Sequence, residues 1–235
     1  MRTADQIEAE LRERWTREGV PTERQNSILA QIDASAKNPP KFPPWTVAGI
    51  ELPFIPMRPT ATKIKLTTAN VLSEIAKLRA THCLQPKLNE ERACLAVLER
   101  GHIVIQSRRG GWFPHAVNNR NAFKLFNPGA LFDGGVFEGN FFPFETIATG
   151  DGTIKPRSPV ELRIEHARQT CNALGIEWLF AESSDEWLIE QASATGENPL
   201  TRTWEGVVCK MRGTPYRILK AEHQQSPEWQ KMRWC

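Results

Sequence analysis

From residue 82 onward the apolar residues stop recurring at helical spacing. They fall into short segments cut by Gly, Asn and Pro, namely HIVIQS, NAFKLF, LFDGGVFEG and WEGVVCKM. Runs this short and this rich in Val, Ile and Phe predict antiparallel strands closed by tight turns, not a βαβ series. Helical periodicity surrounds and interrupts them. Residues 68–80 place Val71, Leu72, Ile75 and Leu78 on one face, residues 158–174 form a longer helix ended by Gly175, and residues 184–194 a shorter one. Strands interleaved with a few helices predict an α+β domain of antiparallel sheets flanked by helices.

Upstream, seven prolines between Asn38 and Pro59 exclude a helix or a central strand, so this stretch is expected to be an extended connector. Before it, Ile7, Leu11 and Trp15 make one stripe on a helix over 4–18 that Gly19 can close, and Pro21 opens a second helix with Ile28, Leu29 and Ile32 on its apolar side. The expected organisation is a helical segment over 1–45 followed by a domain over 46–235. A chain of 235 residues suffices for one sizeable core with such an appendage.

Several function classes drop out on composition. No apolar run approaches the roughly 18 residues of a membrane span, and the N-terminus has no signal-peptide core, so a cytoplasmic protein without membrane partners is expected. The five cysteines never form C-x-x-C and the five histidines never form H-x-x-x-H, which argues against a disulfide framework or a transition-metal centre. Lys and Arg number 30 against 27 Asp and Glu, a mild excess that permits a polyanionic partner. Its distribution is more telling: Arg100, Arg108, Arg109, Arg120 and Lys124 occupy 100–132 without a single Asp or Glu.

Chemistry concentrates in QPKLNEER, residues 85–92, where Lys87 is expected on a loop between a helix and a strand. A lysine followed by a side-chain oxygen and an arginine suits a nucleophile beside phosphate-binding groups, although a solvated loop lysine would read the same in isolation. Four further segments follow in order: SRRGGWF, FDGGVFEGNFFPFE, WEGVVCK with PYR after it, and WQKMRW. Together, over about 85–234, these resemble the motif series of the ATP-dependent DNA ligases, a family of covalent nucleotidyltransferases, which reads KxDGxR, SR-x-G, DGE, an aromatic FxFD-like segment, EGxVxK and KxK.

The resemblance implies an adenylation domain of the ligase nucleotidyltransferase fold, ATP-grasp-like, that uses ATP and Mg²⁺, forms a lysyl-AMP on Lys87, and seals 5′-phosphate/3′-hydroxyl nicks in double-stranded DNA. It implies that Lys231 and Arg233 assist that chemistry, that Gln85, Arg92, Arg108, Phe144, Glu145, Lys210 and Lys231 hold the nucleotide, and that Glu205 is the metal carboxylate. Phe144 stands at the adenine-stacking position, whereas Phe141 and Phe142 suit a core. To attack phosphorus, such a lysine must lose its proton, so its pKa must fall below about 10.4, which neighbouring cations promote.

This chain departs from the pattern at three places. Asn89-Glu90 stand where the family has Asp-Gly, Gly135 stands where it has the Glu of DGE unless Glu138 replaces that carboxylate, and only Trp234 and Cys235 follow KMR, so an OB-fold domain would come from a separate chain, from a longer parent, or not at all. An RNA ligase, or an impaired nucleotidyltransferase fold that only binds nucleic acid or a partner, are the alternative readings.

Overall fold

The computed structural model describes residues 45–113, 115–180, 183–194, 203–219 and 224–234, with scattered positions between 9 and 26. The chain divides into two compact units, 1–43 and 44–235. In the first, the described positions at 12–13, 16–17, 22–23 and 25–26 are helical, and the rest of the two expected N-terminal helices lies outside the described residues.

The second unit opens with a small hairpin, β1 (Trp45–Val47) and β2 (Ile50–Leu52), inside the proline-rich stretch expected to be an extended connector. Two four-stranded sheets follow. The first has the order β3 (Pro59–Leu66), β10 (Ser226–Trp234), β9 (Trp204–Met211), β4 (His82–Leu88), antiparallel except for the β3/β10 pair. The second has the order β6 (Ile103–Ser107), β5 (Glu91–Val97), β7 (Leu131–Phe137), β8 (Asn140–Ala148), antiparallel throughout. Helices α1 (Val71–Arg79), α2 (Val160–Leu174) and α3 (Asp185–Ser193) complete the unit. Gly175 ends α2 in the left-handed conformation, and the Ser184 hydroxyl caps α3 by accepting from the Trp187 N–H at 3.2 Å.

Strand alternation sorts the first sheet into two faces. Leu84, Val207, Cys209, Met232 and Trp234 pack with Val71, Ile75 and Leu188 of the helices. The residues between them, among them Gln85, Lys87, Val208, Lys210, Lys231 and Arg233, face the other way into a cavity. The second sheet buries Ala93, Leu95, Val97 and Phe132 against Phe123 and Phe141. Phe141 is therefore core as expected, whereas Phe142, expected there too, is only half-buried.

Two expectations about elements are corrected here. NAFKLF is not a strand: it falls in a 3-10 helix over Asn118–Leu125, whose three-residue period brings Phe123 and Phe126 to one side, 6.2 Å apart. Lys87 is not on a loop but near the end of β4. That strand was hidden by Pro86, which is tolerated because β4 is an edge strand where a missing N–H need not break a ladder.

Gly206 is the tightest point of the first sheet. It pairs with Lys87 on one side and Arg233 on the other, and a Cβ built on it would stand 1.9 Å from the Met232 carbonyl oxygen. Its φ of +154° also disfavours a side chain. Gly206→Ala is expected to lower the unfolding free energy by about 3 kcal/mol in urea titrations, because the clash is with backbone; a loss under about 0.5 kcal/mol would contradict the packing described.

Candidate active site

A cavity of about 700 Å³ is lined by residues of both sheets. Nine of the ten residues singled out in the sequence line it: Gln85, Lys87, Arg92, Arg108, Phe144, Glu205, Lys210, Lys231 and Arg233. Strand register explains the convergence. Lys87 and Arg233 flank Gly206, while Gln85 and Lys231 flank Val208, so two side chains of β4 and two of β10 share a face across β9. Glu205 reaches the same face through a bulge: Lys87 pairs with Gly206 but Leu88 pairs with Trp204, which leaves Glu205 as the extra residue, turned toward its neighbours.

The outcome is a tight charge cluster. Lys87 Nζ lies 2.7 Å from Glu205 Oε2, and the same oxygen is 3.2 Å from Arg233 Nη2. Partial burial, reinforced by the Arg233, Lys87 and Arg58 cations, holds the Lys231 ammonium below its usual lysine range, with Glu205 opposing. Arg58 lines the cavity as well and was not singled out in the sequence, because it sits within the proline-rich stretch. Positive charge therefore exceeds negative at this end of the cavity, which suits a polyphosphate.

Glu145 is the exception among the ten. It is wholly buried and does not line the cavity, contrary to the nucleotide contact expected of it. Its carboxylate accepts from Arg163 Nε at 2.9 Å and from Lys210 Nζ at 3.3 Å. Arg163, also fully buried, donates to the Thr214 carbonyl at 2.9 Å and to the Ser158 carbonyl, tying α2 to the floor. Lys210 thus lies under the cavity wall with its ammonium 4.1 Å from the centre of the Trp229 ring, and burial lowers its pKa against the pull of Glu145.

A second buried pair supports the same floor. Arg92 donates to both Asp133 oxygens, one at 3.0 Å through Nε, and Tyr216 donates its hydroxyl to Asp133 at 2.8 Å. Arg92 is therefore a fixed cation beneath the Phe144 and Trp229 rings, 6.0 and 5.5 Å from their centres. Gln85 donates to the Phe144 carbonyl at 3.2 Å and so links β4 to β8. Phe144 is half-buried, edge-on to Phe180 at 4.8 Å, with its remaining surface on the cavity.

The basic stretch over 100–132 divides. Arg108 and Arg109 line the cavity, Arg120 donates to the Ile103 carbonyl, and Arg100 lies in an exposed turn with φ +58°. Arg217, next to Tyr216, pairs with Glu228 at 2.6 Å. Among the described residues the cysteines at 83, 94, 171 and 209 form no disulfide, and no group of three or more His, Cys, Asp or Glu could cage a metal. A single carboxylate such as Glu205 does fit a hard cation that keeps its waters and shares phosphate oxygens. No helix among the described residues is long and apolar enough to cross a membrane.

Glu138 does not supply the carboxylate missing at 135. It sits exposed in the two-residue turn of the β7/β8 hairpin, with φ +49°. Glu90, in the β4–β5 turn, does line the cavity, and burial pushes its carboxyl up to about 7 against the pull of Lys87 and Arg92. Between the ordinary 4.5 and about 7 the folded state then holds more protons than the unfolded chain, so this group's contribution to stability falls as pH rises through that window. The thermal midpoint of the wild type, measured relative to Glu90→Gln, is expected to drop between about pH 5 and pH 7.5; parallel curves would contradict the burial assigned to Glu90.

No protein-family model matches the chain, and no curated protein matches its sequence. Solved structures do. The ligase domain of LigD from M. tuberculosis superposes with a TM-score of 0.53 at 16% identity, over 77% of this chain and 59% of that one. Pmar-Lig_PreS3 superposes at 0.51 and 14% identity, over 77% and 47%. An archaeal ATP-dependent RNA ligase gives 0.41 at 17% identity, over 73% and 48%. The chain spans less than two-thirds of the length of these structures. Its second unit has the α+β fold, with antiparallel sheets flanked by helices, of a ligase nucleotidyltransferase domain.

Proposed function

We propose that this chain is the adenylating part of an ATP-dependent polynucleotide ligase, with Lys87 as the nucleophile. The observation that carries the reading is the Lys87, Glu205, Arg233 and Lys231 cluster, set by strand register at the cationic end of a cavity with an aromatic wall. The shared fold with a structure named as a ligase domain supports it.

In this reading the adenine stacks on Phe144 and the triphosphate runs toward Lys231, Arg233 and Arg58. Lys87 Nζ, having given its proton to solvent, bonds to the α-phosphorus. The bond from that phosphorus to the bridging oxygen breaks, and pyrophosphate leaves with the electron pair. Lys231 and Arg233 stabilise charge moving onto the leaving oxygens, and Arg108 and Arg109 at the cavity mouth meet the polynucleotide phosphate. Glu205 would hold Mg²⁺, which supplies further neutralisation of that charge. A 5′-phosphate then takes the AMP from Lys87, and a 3′-hydroxyl displaces it to join the strands.

The buried cations Arg92 and Lys210 act from beneath, as fixed positive charge and as supports for Phe144 and Trp229. We take nicked double-stranded DNA as the substrate, because the Lys87 to Arg92 spacing and the Tyr216-Arg217 pair resemble the DNA-joining members. An OB-fold domain, from a longer parent or a second chain, would close over the nucleotide. In this reading the chain divides into a segment over 1–45 and the adenylation domain over 46–235, and the protein works in the cytoplasm.

Incubation with ATP and Mg²⁺, followed by intact mass and peptide mapping, is expected to show one added AMP on Lys87. Lys87→Ala is expected to lose the adduct while keeping the wild-type circular dichroism spectrum, since Arg233 still pairs with Glu205. An adduct retained by that variant would overturn the assignment. Sealing of a nicked RNA duplex in preference to nicked DNA would move the substrate to RNA.

A further inference from the structure

The departures at Glu90 and Gly135, which are far apart in sequence, meet in space. Arg92 pairs with Gly135 across β5 and β7, and the side chain of Glu90, in the turn just before β5, reaches over the same glycine. A Cβ built on Gly135 would stand 2.0 Å from Glu90 Cγ and 2.9 Å from Glu90 Cβ, far inside van der Waals contact. The Glu90 side chain therefore fills the volume that a side chain at 135 would take. Position 90 or position 135 can carry one, but not both.

We propose that Glu90 and Gly135 are a matched pair in which the β4–β5 turn supplies the sugar-recognising carboxyl of the nucleotide site, with Gly135 left bare to admit it. This rests on the nucleotidyltransferase reading. Glu90 is on the cavity wall three residues beyond Lys87, and its electrostatic neighbours are Lys87, Arg92 and Glu205. A carboxylate repels phosphate, so the triphosphate belongs with Lys231, Arg233 and Arg58 instead. The ribose is joined to the α-phosphate through one oxygen and so lies nearest the lysine that attacks it. Its hydroxyls are the donors that a carboxyl at this place can accept from.

The test combines binding and stability. Dissociation constants for ATP, 2′-deoxyATP and 3′-deoxyATP are measured by calorimetry for the wild type, Glu90→Gly, and the exchange variant Glu90→Gly with Gly135→Glu. The wild type is expected to prefer ATP by about tenfold or more over at least one deoxy analogue, as a hydrogen bond to a charged group implies. Glu90→Gly is expected to bring that ratio to about one, and the exchange variant to restore it. Wild-type discrimination surviving in Glu90→Gly, or an exchange variant no more selective than Glu90→Gly, would overturn the proposal.

Thermal melts test the pairing independently of any ligand. Gly135→Ala is expected to lower the midpoint in the wild type and much less in the Glu90→Gly background, whereas equal losses in both would overturn the steric match. A wild type that forms lysyl-AMP but ignores Glu90→Gly would sink this inference alone. A wild type that neither binds ATP nor forms the adduct would sink the nucleotidyltransferase reading with it.

Discussion

The close approach at Gly206 is the constraint on which the site depends. Because the backbone of β10 comes to within 1.9 Å of where its Cβ would be, β4, β9 and β10 pack tightly enough for side chains on all three to touch. The adjacent bulge then turns Glu205 toward Lys87 and Arg233. A glycine after a glutamate is thus one device: the first residue supplies the carboxylate and the second lets the flanking cations reach it.

Beneath the cavity the protein keeps two carboxylates, Asp133 and Glu145, fully buried. Burial of a charge is costly unless it is paired and hydrogen-bonded, and both are. Asp133 takes Arg92 and Tyr216, and Glu145 takes Arg163 and Lys210. These pairs join β5, β7, β8, β9, α2 and the segment after β9 into one floor. Rigid cations under an aromatic wall give a site whose electrostatics are set before any ligand arrives.

Much of this was legible in the sequence, and the reasons for the misses are physical. The α+β class and all three described helices followed from periodicity and from Gly175, with boundaries shifted by a few residues. Nine of the ten chosen site residues line the cavity because motifs on strand ends carry their own spacing. Glu145 went astray because burial cannot be read from a residue's neighbours in the chain: its partner Arg163 lies eighteen residues away on a helix. Arg58 was masked by surrounding prolines, and NAFKLF by a composition shared between strands and 3-10 turns. The relation between Glu90 and Gly135 was present as two separate oddities, and only the β5/β7 register joins them.

Lys87 is proposed to take a nucleotidyl group at the cationic end of this cavity. The most direct measurement is a crystal structure of the protein after soaking in ATP with a divalent cation. Continuous density from Lys87 Nζ to a phosphorus atom is expected, with the adenine against Phe144 and the sugar toward Glu90. Nucleotide bound elsewhere, or lying in the cavity with its phosphates away from Lys87, Lys231 and Arg233, would contradict it.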